Sequence, residues 1–395
     1  MNIMILTNLF APYTRGGAER IVEKQAGMLA GEGHNVLVLT TAPDHDADLQ
    51  ILPSGVMVRR YKPRNLYFSL QDTFQPLWKR ALWHLIDLKS HEAEQVLERV
   101  FLDAAPDIII THNMKGFGLS AFRAINKAGL KHIHVLHDLQ LIVPSGLKIW
   151  GSEGSWMVSG RLQKRYVEAV KCQVGSPTLV VSPSQFLLDE HARAGLFIGS
   201  KTALLPNPVS WDDIAARPDK IPQTTLPLLV FAGQLEPHKG VQVLMDAWPD
   251  DGRAQLVIAG SGSLSGVVER FAASKKYVTA VGRLSPSRVR AFLHEARAVL
   301  VPSLCYENAP NIILEAFSEG TPVIASKIGG IQELVLDVNG ILFGPGDVYA
   351  LRDAMQKELA KPLDREIIKQ SAQRFSSEVY KKQLLALIGT LRPKG

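Results

Sequence analysis

The sequence predicts an α/β protein with two Rossmann-like domains, each a doubly wound parallel sheet. Three observations carry this prediction. The chain has 395 residues, more than one hydrophobic core usually supports. Short apolar runs alternate with segments of helical periodicity in both halves, which is the pattern of βαβ units. Five prolines fall between Pro206 and Pro227, so we place a linker there and expect domains at residues 1–205 and 206–375.

The first domain opens with a βαβ unit. Residues 2–6 predict a buried parallel strand, Gly16-Gly17 opens a helix with an apolar face, and residues 35–40 predict the second strand. The loop before the helix lacks the G-x-G-x-x-G pattern, which weighs against dinucleotide binding. Adjacent glycines would let backbone N–H groups approach a ligand closely, although ordinary turn glycines fit the same pattern.

Two histidines follow buried strands farther along this domain. Residues 107–111 and 132–136 predict strands, which end in His112 and in His137-Asp138. Ligands of open α/β sheets bind outside the carboxyl ends of the strands. Both histidines are therefore candidates for a binding site, with a purely structural role as the ordinary alternative.

Residues 59–89 combine positive charge with aromatic side chains. Seven basic residues stand against two acidic ones, a net charge of +5, with six aromatic residues between them. Such a segment suits the surface of an anionic membrane, and a solvated helical insert is the alternative. The residues concerned are Arg59, Arg60, Lys62, Arg64, Lys79, Arg80 and Lys89, with Tyr61, Tyr67, Phe68, Phe74, Trp78 and Trp83 interleaved.

The acidic stretch Asp44-His45-Asp46-Ala47-Asp48 contains two overlapping Asp-x-Asp triplets. Carboxylates at this spacing can hold a divalent metal ion. This stretch follows the second strand, in what we expect to be an exposed connection, so we interpret it as a solvated acidic loop. The sequence therefore predicts no metal site and no cofactor.

Composition narrows the class of partner. The formal charge of +6 and the pI near 9.2 favour anionic partners, which could be nucleotide, phospholipid or nucleic acid. The sequence shows no aromatic-basic repeat and no zinc-ligand spacing that would indicate nucleic-acid binding, so we predict no such partner.

The two cysteines, Cys172 and Cys305, predict buried, reduced thiols in a cytoplasmic protein. Neither a signal peptide nor an apolar run of roughly 18 residues is present, so membrane contact would be peripheral.

The second half repeats the alternation of strands and helices. Residues 228–232, 255–259, 278–281 and 298–302 predict strands. Residues 240–248 and the segment after Ser285 predict helices between them. These elements lead to the stretch around which the chain is organised, Glu307-Asn-Ala-Pro-Asn-Ile-Ile-Leu-Glu315.

This stretch predicts a helix with an anion-binding end. Pro310 suits the first helical position and Gly320 the residue past the end, so we expect a helix from Pro310 to Glu319. Its free N–H groups beside Glu307 would suit a phosphate. Glu307 and Glu315 would lie roughly 12 Å apart if the whole span were helical. That exceeds the separation of about 5 to 9.5 Å in two-carboxylate glycosidases, but it suits a nucleotide sugar with a polar group at each end.

The motif Glu-x7-Glu resembles that of the family 4 glycosyltransferases (glycosyl transferases group 1), retaining enzymes of the GT-B fold. The likeness extends through Ala316-Phe317, Gly320-Thr321-Pro322-Val323 and Gly329-Gly330-Ile331-x-Glu333. It covers essentially residues 1–390 and is weakest at 45–100 and 139–175, which would then be the acceptor regions. It implies two Rossmann-like domains facing each other across a cleft, with residues 376–395 crossing back to the first.

The resemblance also implies roles for single residues. Lys239, in Gly233-Gln234-Leu235-x-x-x-Lys239-Gly240, would bind the donor phosphates, while Glu307 and His137 would face the transferred sugar. Gln234 stands where the family usually has arginine, which puts the strength of donor activation in doubt. Arg283 would approach the nucleotide base and Glu315 the ribose hydroxyls. The donor site would further contain Gly16, Gly17, Gln234, Asn308, Ala309, Pro310, Asn311 and Ile312, with the amides of residues 309–312 on the sugar and diphosphate.

These observations lead to one function and two alternatives. We expect a retaining, hexosyl-type glycosyltransferase that moves a sugar from a nucleoside diphosphate sugar to a lipid-linked or saccharide acceptor in bacterial surface glycan assembly. It would be cytoplasmic or peripheral on the inner face of the cell membrane, and independent of metal. A catalytically weak GT-B subunit that supports a partner, and a GT-B sugar-nucleotide epimerase, are the alternatives.

Overall fold

The computed structural model describes residues 1–44, 49–156, 158–209 and 225–391. The strands of this part of the chain are β1 (Asn2–Thr7), β2 (Asn35–Thr41), β3 (Gln50–Ile51), β4 (Met57–Tyr61), β5 (Ile108–Thr111), β6 (Lys131–Val135), β7 (Leu179–Ser182), β8 (Lys201–Leu204), β9 (Leu228–Ala232), β10 (Gln255–Ala259), β11 (Val278–Gly282), β12 (Ala298–Val301), β13 (Val323–Ser326) and β14 (Gly340–Phe343). The α-helices are α1 (Gly17–Gly31), α2 (Leu77–Lys89), α3 (Glu92–Ala104), α4 (Ser120–Lys127), α5 (Arg161–Val174), α6 (Gln185–Arg193), α7 (Val241–Ala247), α8 (Ser265–Ala273), α9 (Pro286–Glu295), α10 (Asn311–Ser318), α11 (Ile331–Leu334), α12 (Val348–Ala360), α13 (Arg365–Ala372) and α14 (Ser377–Gly389).

The first sheet has the strand order β3-β4-β2-β1-β5-β6-β7-β8. Its pairs are parallel except β3 with β4. The inner strands β1 and β5 are apolar runs because helices cover both faces of a parallel sheet. Strand order reverses at β1, which pairs with β2 on one side and β5 on the other. Such a switch point is where open α/β sheets bind ligands.

The second sheet has the order β11-β10-β9-β12-β13-β14, and all of its pairs are parallel. Here the order reverses at β9, which pairs with β10 and β12. The loops that follow β9 and β12 therefore leave the carboxyl edge side by side. They carry Lys239 and Glu307, respectively.

The chain divides into two compact units. One holds Met1–Gly146, Gly154–Leu205 and Gln383–Gly395, and the other holds Leu147–Glu153 and Pro206–Lys382. The interpretation of 1–205 as a single domain is thus wrong for residues 147–153, because backbone hydrogen bonds attach that segment to the second unit. The return to the first unit falls at Gln383, inside α14, and not at residue 376.

The predicted elements are present, with small shifts at their ends. Strands β9 and β10 have the predicted bounds. Helix α10 begins at Asn311, because Pro310 keeps an extended backbone with ψ 120° and serves as the N-cap. The helix ends at Ser318. Gly320 follows the helix with φ +74°, a conformation that favours glycine.

Cys305 is buried as predicted, but Cys172 is exposed on α5, so the prediction of two buried thiols was wrong for it. Among the helices of the described residues, none is both long enough and apolar enough to cross a bilayer.

Candidate active site

The centre of the site in the second unit is an ion pair between Lys239 and Glu307. Lys239 Nζ lies 2.6 Å from Glu307 Oε1, and the Ser303 hydroxyl donates to the same oxygen at 3.1 Å. The two side chains are 28% and 16% exposed. Residues 68 positions apart are thus brought together because β9 and β12 are adjacent strands.

Backbone contacts hold the two loops against each other. The carbonyl of His238 accepts hydrogen bonds from the N–H groups of Leu304 at 2.9 Å and Cys305 at 3.1 Å. Gly240 has φ +73°, and a Cβ there would stand 1.7 Å from the carbonyl oxygen of Pro302. Only glycine therefore lets the lysine loop approach the end of β12 this closely.

A second glycine contact orients the backbone of Glu307. The Gly330 N–H donates to the Glu307 carbonyl at 2.8 Å. Gly329 has φ +55°, and a Cβ there would lie 2.4 Å from that carbonyl oxygen. The Gly329-Gly330 pair of the sequence motif thus acts by packing against the residue that carries the carboxylate.

Lys239 keeps its positive charge, and the carboxylate of Glu307 neutralises it. Burial alone would lower the pKa of Lys239, but the neighbouring Glu307 carboxylate outweighs it and raises that pKa above its ordinary value. The ammonium therefore stays protonated, and the Lys239–Glu307 pair is neutral as a unit. An incoming diphosphate would meet a lysine that already has a partner.

The start of α10 offers fewer N–H donors than the four-residue stretch 309–312 suggests. Proline has no N–H, so Pro310 contributes none and the amides of Ala309, Asn311 and Ile312 remain as donors. The next amide, that of Ile313, donates to the carbonyl of Pro310 at 3.1 Å. The Asn311 side chain accepts from the Asn207 amide at 3.3 Å, which joins this end of the helix to the proline-rich stretch.

The other residues predicted for the donor occupy different environments. Glu315 lies in α10 and is only 7% exposed, so it is not a solvated surface carboxylate. Gln234, on the loop after β9, and Arg283, after β11, are both exposed. Asn308 is half-buried between Glu307 and the helix.

The segment 147–153 is a part of the site that sequence reasoning missed. Ile149 forms an isolated antiparallel bridge with Cys305, and the Tyr306 N–H donates to the Lys148 carbonyl at 2.9 Å. The Tyr306 hydroxyl donates to Glu153 at 2.8 Å. The Lys148 ammonium lies 4.7 Å from the centre of the Tyr306 ring. This arm buttresses the loop that ends in Glu307, and one isolated bridge leaves no periodicity by which to detect it.

The glycine pair of the first unit behaves differently from the prediction. The Gly16 N–H donates to Glu19 Oε2 at 2.9 Å and so completes the N-terminus of α1. The expectation that both glycine amides would be open to a ligand is therefore wrong for Gly16. Gly17 is half-buried as the first residue of the helix.

His137 belongs to a chain of hydrogen bonds at the carboxyl edge of the first sheet. His137 Nε2 lies 2.8 Å from His112 Nδ1, and His112 Nε2 lies 2.8 Å from Gln25 Oε1. Burial lowers the pKa of His137 to about 4 and that of His112 well below its ordinary value. Both rings are therefore neutral at pH 7. With the Gln25 oxygen as acceptor, His112 carries its proton on Nε2 and His137 donates from its own Nε2.

The basic and aromatic segment 59–89 is only in part a surface. Arg60 is buried and donates to the Ala11 carbonyl at 2.6 Å, and the buried Trp83 indole donates to the Tyr67 carbonyl at 2.8 Å. Phe74 and Trp78, in contrast, are 85% and 69% exposed. The exposed apolar residues Trp78, Leu82 and Leu85 follow helical spacing along α2.

Across residues 1–44, 49–156, 158–209 and 225–391, no group of three His, Cys, Asp or Glu side chains is arranged to hold a metal ion. Of the acidic stretch, Asp44 lies 3.9 Å from the Lys62 ammonium. Residues 45–48 lie outside the described part of the chain.

Comparisons with known proteins agree on the kind of protein. A family model described as Glycosyltransferase Family 4 matches residues 15–212, and one described as Glycosyl transferases group 1 matches residues 226–361. An uncharacterized 42.6 kDa protein in the cps region of Klebsiella pneumoniae is 27% identical over 359 residues, 87% of this chain and 90% of that protein. Glycogen synthase of Mycobacterium tuberculosis is 27% identical over 386 residues, 92% of this chain and 87% of the synthase.

A solved structure shares the whole fold. HepE from Anabaena, crystallised in complex with UDP, has a TM-score of 0.69 at 17% identity and covers 99% of this chain and 100% of its own. The two parallel-sheet α/β units of this chain thus have the GT-B fold that the sequence predicted.

Proposed function

Because this chain belongs to glycosyltransferase family 4, we propose that it is a retaining, hexosyl-type enzyme of bacterial surface polysaccharide assembly. It would move a sugar from a nucleoside diphosphate sugar to a lipid-linked or saccharide acceptor. The observation that carries the proposal is the Lys239–Glu307 pair, held between the β9 and β12 loops where the strand order reverses. Relatives in a cps region and among glycogen synthases support a role in polysaccharide synthesis.

The pair suits the two halves of such a donor. A diphosphate leaving group needs preorganised cations and N–H donors, which Lys239 and the amides of Asn311 and Ile312 would supply. The Glu307 carboxylate would accept hydrogen bonds from hydroxyls of the transferred sugar. HepE binds UDP, so uridine nucleotides are the first donors to test.

The first unit would contribute a neutral group to the reaction. His137 is uncharged at pH 7, so it would act towards the sugar as a hydrogen-bonding partner and not as a cation. Its orientation is set by His112 and, through it, by Gln25. Glu307, Lys239 and His137 are the catalytic residues that we propose.

The remaining donor contacts follow from position and shape. Gly16 would leave space for the donor but would not donate an N–H to it. A Cβ built at Gly16 meets no atom closer than 3.9 Å, and the Gly16 amide already donates to Glu19. Arg283 would approach the base and Glu315 the ribose. The full set that we propose is Gly16, Gly17, Gln234, Lys239, Arg283, Asn308, Ala309, Pro310, Asn311, Ile312 and Glu315. We propose no metal and no cofactor beyond the nucleotide sugar.

One observation favours a second candidate, the catalytically weak subunit. Lys239 is already balanced by Glu307, and Gln234 brings no charge where the family usually has arginine. A binding assay followed by a turnover assay separates the two functions. Thermal shift with a panel of UDP, GDP and ADP sugars should identify a donor that stabilises the fold. Transfer of that sugar to an acceptor supports the enzyme, donor binding without transfer or hydrolysis supports the subunit, and binding of no donor contradicts both.

We also propose that α2 attaches the enzyme to an anionic membrane surface. Phe74 and the stripe Trp78, Leu82 and Leu85 supply exposed apolar area. Lys79 supplies nearby charge, as does Arg64, whose side chain is 86% exposed although it pairs with Glu92 at 3.1 Å. Each basic residue near the surface contributes about 1 kcal/mol, so several must be changed together.

Liposome co-sedimentation tests this attachment. A variant with Trp78→Ala, Leu82→Ala, Lys79→Gln and Arg64→Gln should lose binding to vesicles of phosphatidylglycerol and phosphatidylcholine. The matched control changes Leu102, which is 84% exposed on α3, to alanine and should bind normally. Undiminished sedimentation of the quadruple variant would contradict the proposal.

A further inference from the structure

The proposed donor site holds less positive charge than its ligand requires. A nucleotide sugar brings about two negative charges on its phosphates, which cations and N–H donors must stabilise. The Lys239 ammonium already lies 2.6 Å from Glu307 Oε1, and Gln234 on the same loop is uncharged. The start of α10 adds the equivalent of about half a positive charge. A second cation beside Lys239 would therefore have a clear function in this site.

His238 stands directly before Lys239, and the two residues share a short 3₁₀ turn between β9 and α7. The His238 carbonyl accepts two hydrogen bonds from the loop after β12, from the N–H groups of Leu304 at 2.9 Å and Cys305 at 3.1 Å. These bonds involve only the backbone of His238. They fix the residue next to the loop that carries Glu307 and leave its ring available.

The other end of the loop is attached to the residues that follow β10. The Leu235 N–H donates to the Ser261 carbonyl at 3.0 Å. The Glu236 carboxylate accepts hydrogen bonds from the N–H of Ser263 at 2.9 Å and from its hydroxyl at 2.6 Å. His238 therefore lies between two attachments, on a backbone that is already ordered before any ligand binds.

The ring of His238 is half-buried and has no hydrogen-bond partner among the residues whose positions the structure gives. Electrostatically, it responds to the ammonium of Lys239 and to the carboxylates of Glu307 and Glu236. Both members of the central ion pair thus act on the ring. A ring of this kind, close to the pair and without a partner of its own, can bind a further ligand group.

The neighbouring loops contain few other groups that could take up a proton. The loop after β12 adds the side chains of Cys305 and Tyr306, and residues 260–264 after β10 add none. Burial and the Lys239 charge lower the pKa of His238, and Glu307 and Glu236 offset this only in part. The ring is therefore neutral at pH 7. Negative charge brought by a diphosphate would raise the pKa and favour the imidazolium.

Resting on the proposed transferase function, we propose that His238 binds the donor diphosphate and takes up one proton from solvent when the nucleotide sugar binds. The proton adds to the ring nitrogen that lacks one, and the imidazolium donates an N–H to a phosphate oxygen. No bond of the donor is made or broken in this step. Because Glu307 neutralises Lys239, the imidazolium gives the site a net positive charge towards the leaving diphosphate.

Calorimetric titration of the whole protein measures this proton. The probes are UDP-glucose, GDP-mannose and ADP-glucose, in which both phosphates are diesters; the terminal phosphate of UDP itself would titrate at about pH 6. Each probe is titrated at pH 7 in PIPES and in Tris, whose ionisation enthalpies differ, so that the difference in heat counts the protons taken up. We expect about one proton per bound nucleotide sugar, and a Kd that rises about tenfold from pH 7 to pH 8.

Two substitutions of the same residue separate protonation from a merely structural role. His238→Gln should take up no proton, lose the pH dependence of Kd and bind about tenfold more weakly at pH 7, because an amide cannot become a cation. His238→Arg carries a permanent charge, so it should bind without proton uptake and equally well at pH 7 and pH 8. The control His91→Gln changes a histidine of the first unit whose side chain is 68% exposed and should behave as the wild type does.

The outcomes distinguish this inference from the function on which it rests. Binding to the wild type without proton uptake would overturn the role of His238, and so would uptake that persists in His238→Gln, since another group would then receive the proton. Unchanged affinity of His238→Gln at pH 7 would overturn it as well. If none of the three nucleotide sugars binds the wild type, the proposed function itself fails.

Discussion

Replacing Lys239 by alanine probes the centre of the proposed mechanism. The substitution removes the ammonium that lies 2.6 Å from Glu307 Oε1 and leaves that carboxylate with the Ser303 hydroxyl at 3.1 Å. It also removes the cation that we assign to the donor diphosphate. The two consequences can be measured separately, one as stability and the other as rate.

The expected magnitudes follow from the burial of the pair. Breaking a fully buried ion pair costs roughly 3–5 kcal/mol. With side chains 28% and 16% exposed, Glu307 keeps some solvation, so we expect a loss of about 1–2 kcal/mol in the free energy of unfolding. Loss of one preorganised group at a developing negative charge costs about 3 kcal/mol, so kcat/KM should fall a hundredfold or more.

Steady-state transfer with the matched donor and acceptor is the assay, with urea unfolding beside it. Lys369→Ala is the control, since it removes a lysine of the same unit from an exposed ion pair with Glu366. The double variant Lys239→Ala, Glu307→Gln separates two explanations. If Lys239 serves only to neutralise Glu307, adding Lys239→Ala to the Glu307→Gln enzyme should cost little further activity; if Lys239 binds phosphate, it should cost as much there as it does in the wild type.

Near-normal kcat/KM in the Lys239→Ala enzyme would refute the assignment of that lysine. If adding Lys239→Ala to the Glu307→Gln enzyme caused no further loss, the role of Lys239 would move from the donor phosphates to the conformation of Glu307. A loss of stability much above 2 kcal/mol would mean that the pair is more buried in solution than its exposure indicates.

Three further predictions follow. Transfer should survive excess EDTA, because no metal takes part in the proposed reaction; complete loss restored by Mg²⁺ would contradict this. Tyr306→Phe removes the hydrogen bond to Glu153 and should loosen the loop before Glu307. We expect kcat to fall severalfold with little change in the affinity for UDP. An equal fall in UDP affinity would show that the substitution acts on donor binding instead. The free energy of unfolding should fall as the pH drops from about 6.5 towards 4. Burial lowers the pKa of His137 to about 4 and also lowers the pKa of several other histidines, so in this range the unfolded chain binds more protons than the folded chain. Burial raises the pKa of Asp87 to about 7 and also raises the pKa of Asp138 and of Glu358, which opposes this trend, but more histidines than carboxyl groups are shifted. A free energy of unfolding in urea that is no lower at pH 5 than at pH 7 would contradict the prediction.

The fold class was predictable because it depends on local patterns. Buried strands such as β9 and β10 are continuous apolar runs, and the helices between them show their own periodicity, so both can be recognised without knowing what they contact. Glu307 and Lys239 could each be selected because they stand in short local motifs that resemble those of the family. Gly320 marks the end of a helix through its own backbone conformation.

Whatever depends on contacts between distant residues was decided by the tertiary structure. The pairing of Lys239 with Glu307 results from the adjacency of β9 and β12, which neither loop encodes alone. The arm 147–153 has no local signature, because the backbone hydrogen bonds that hold it run to residues 304–306, far along the chain.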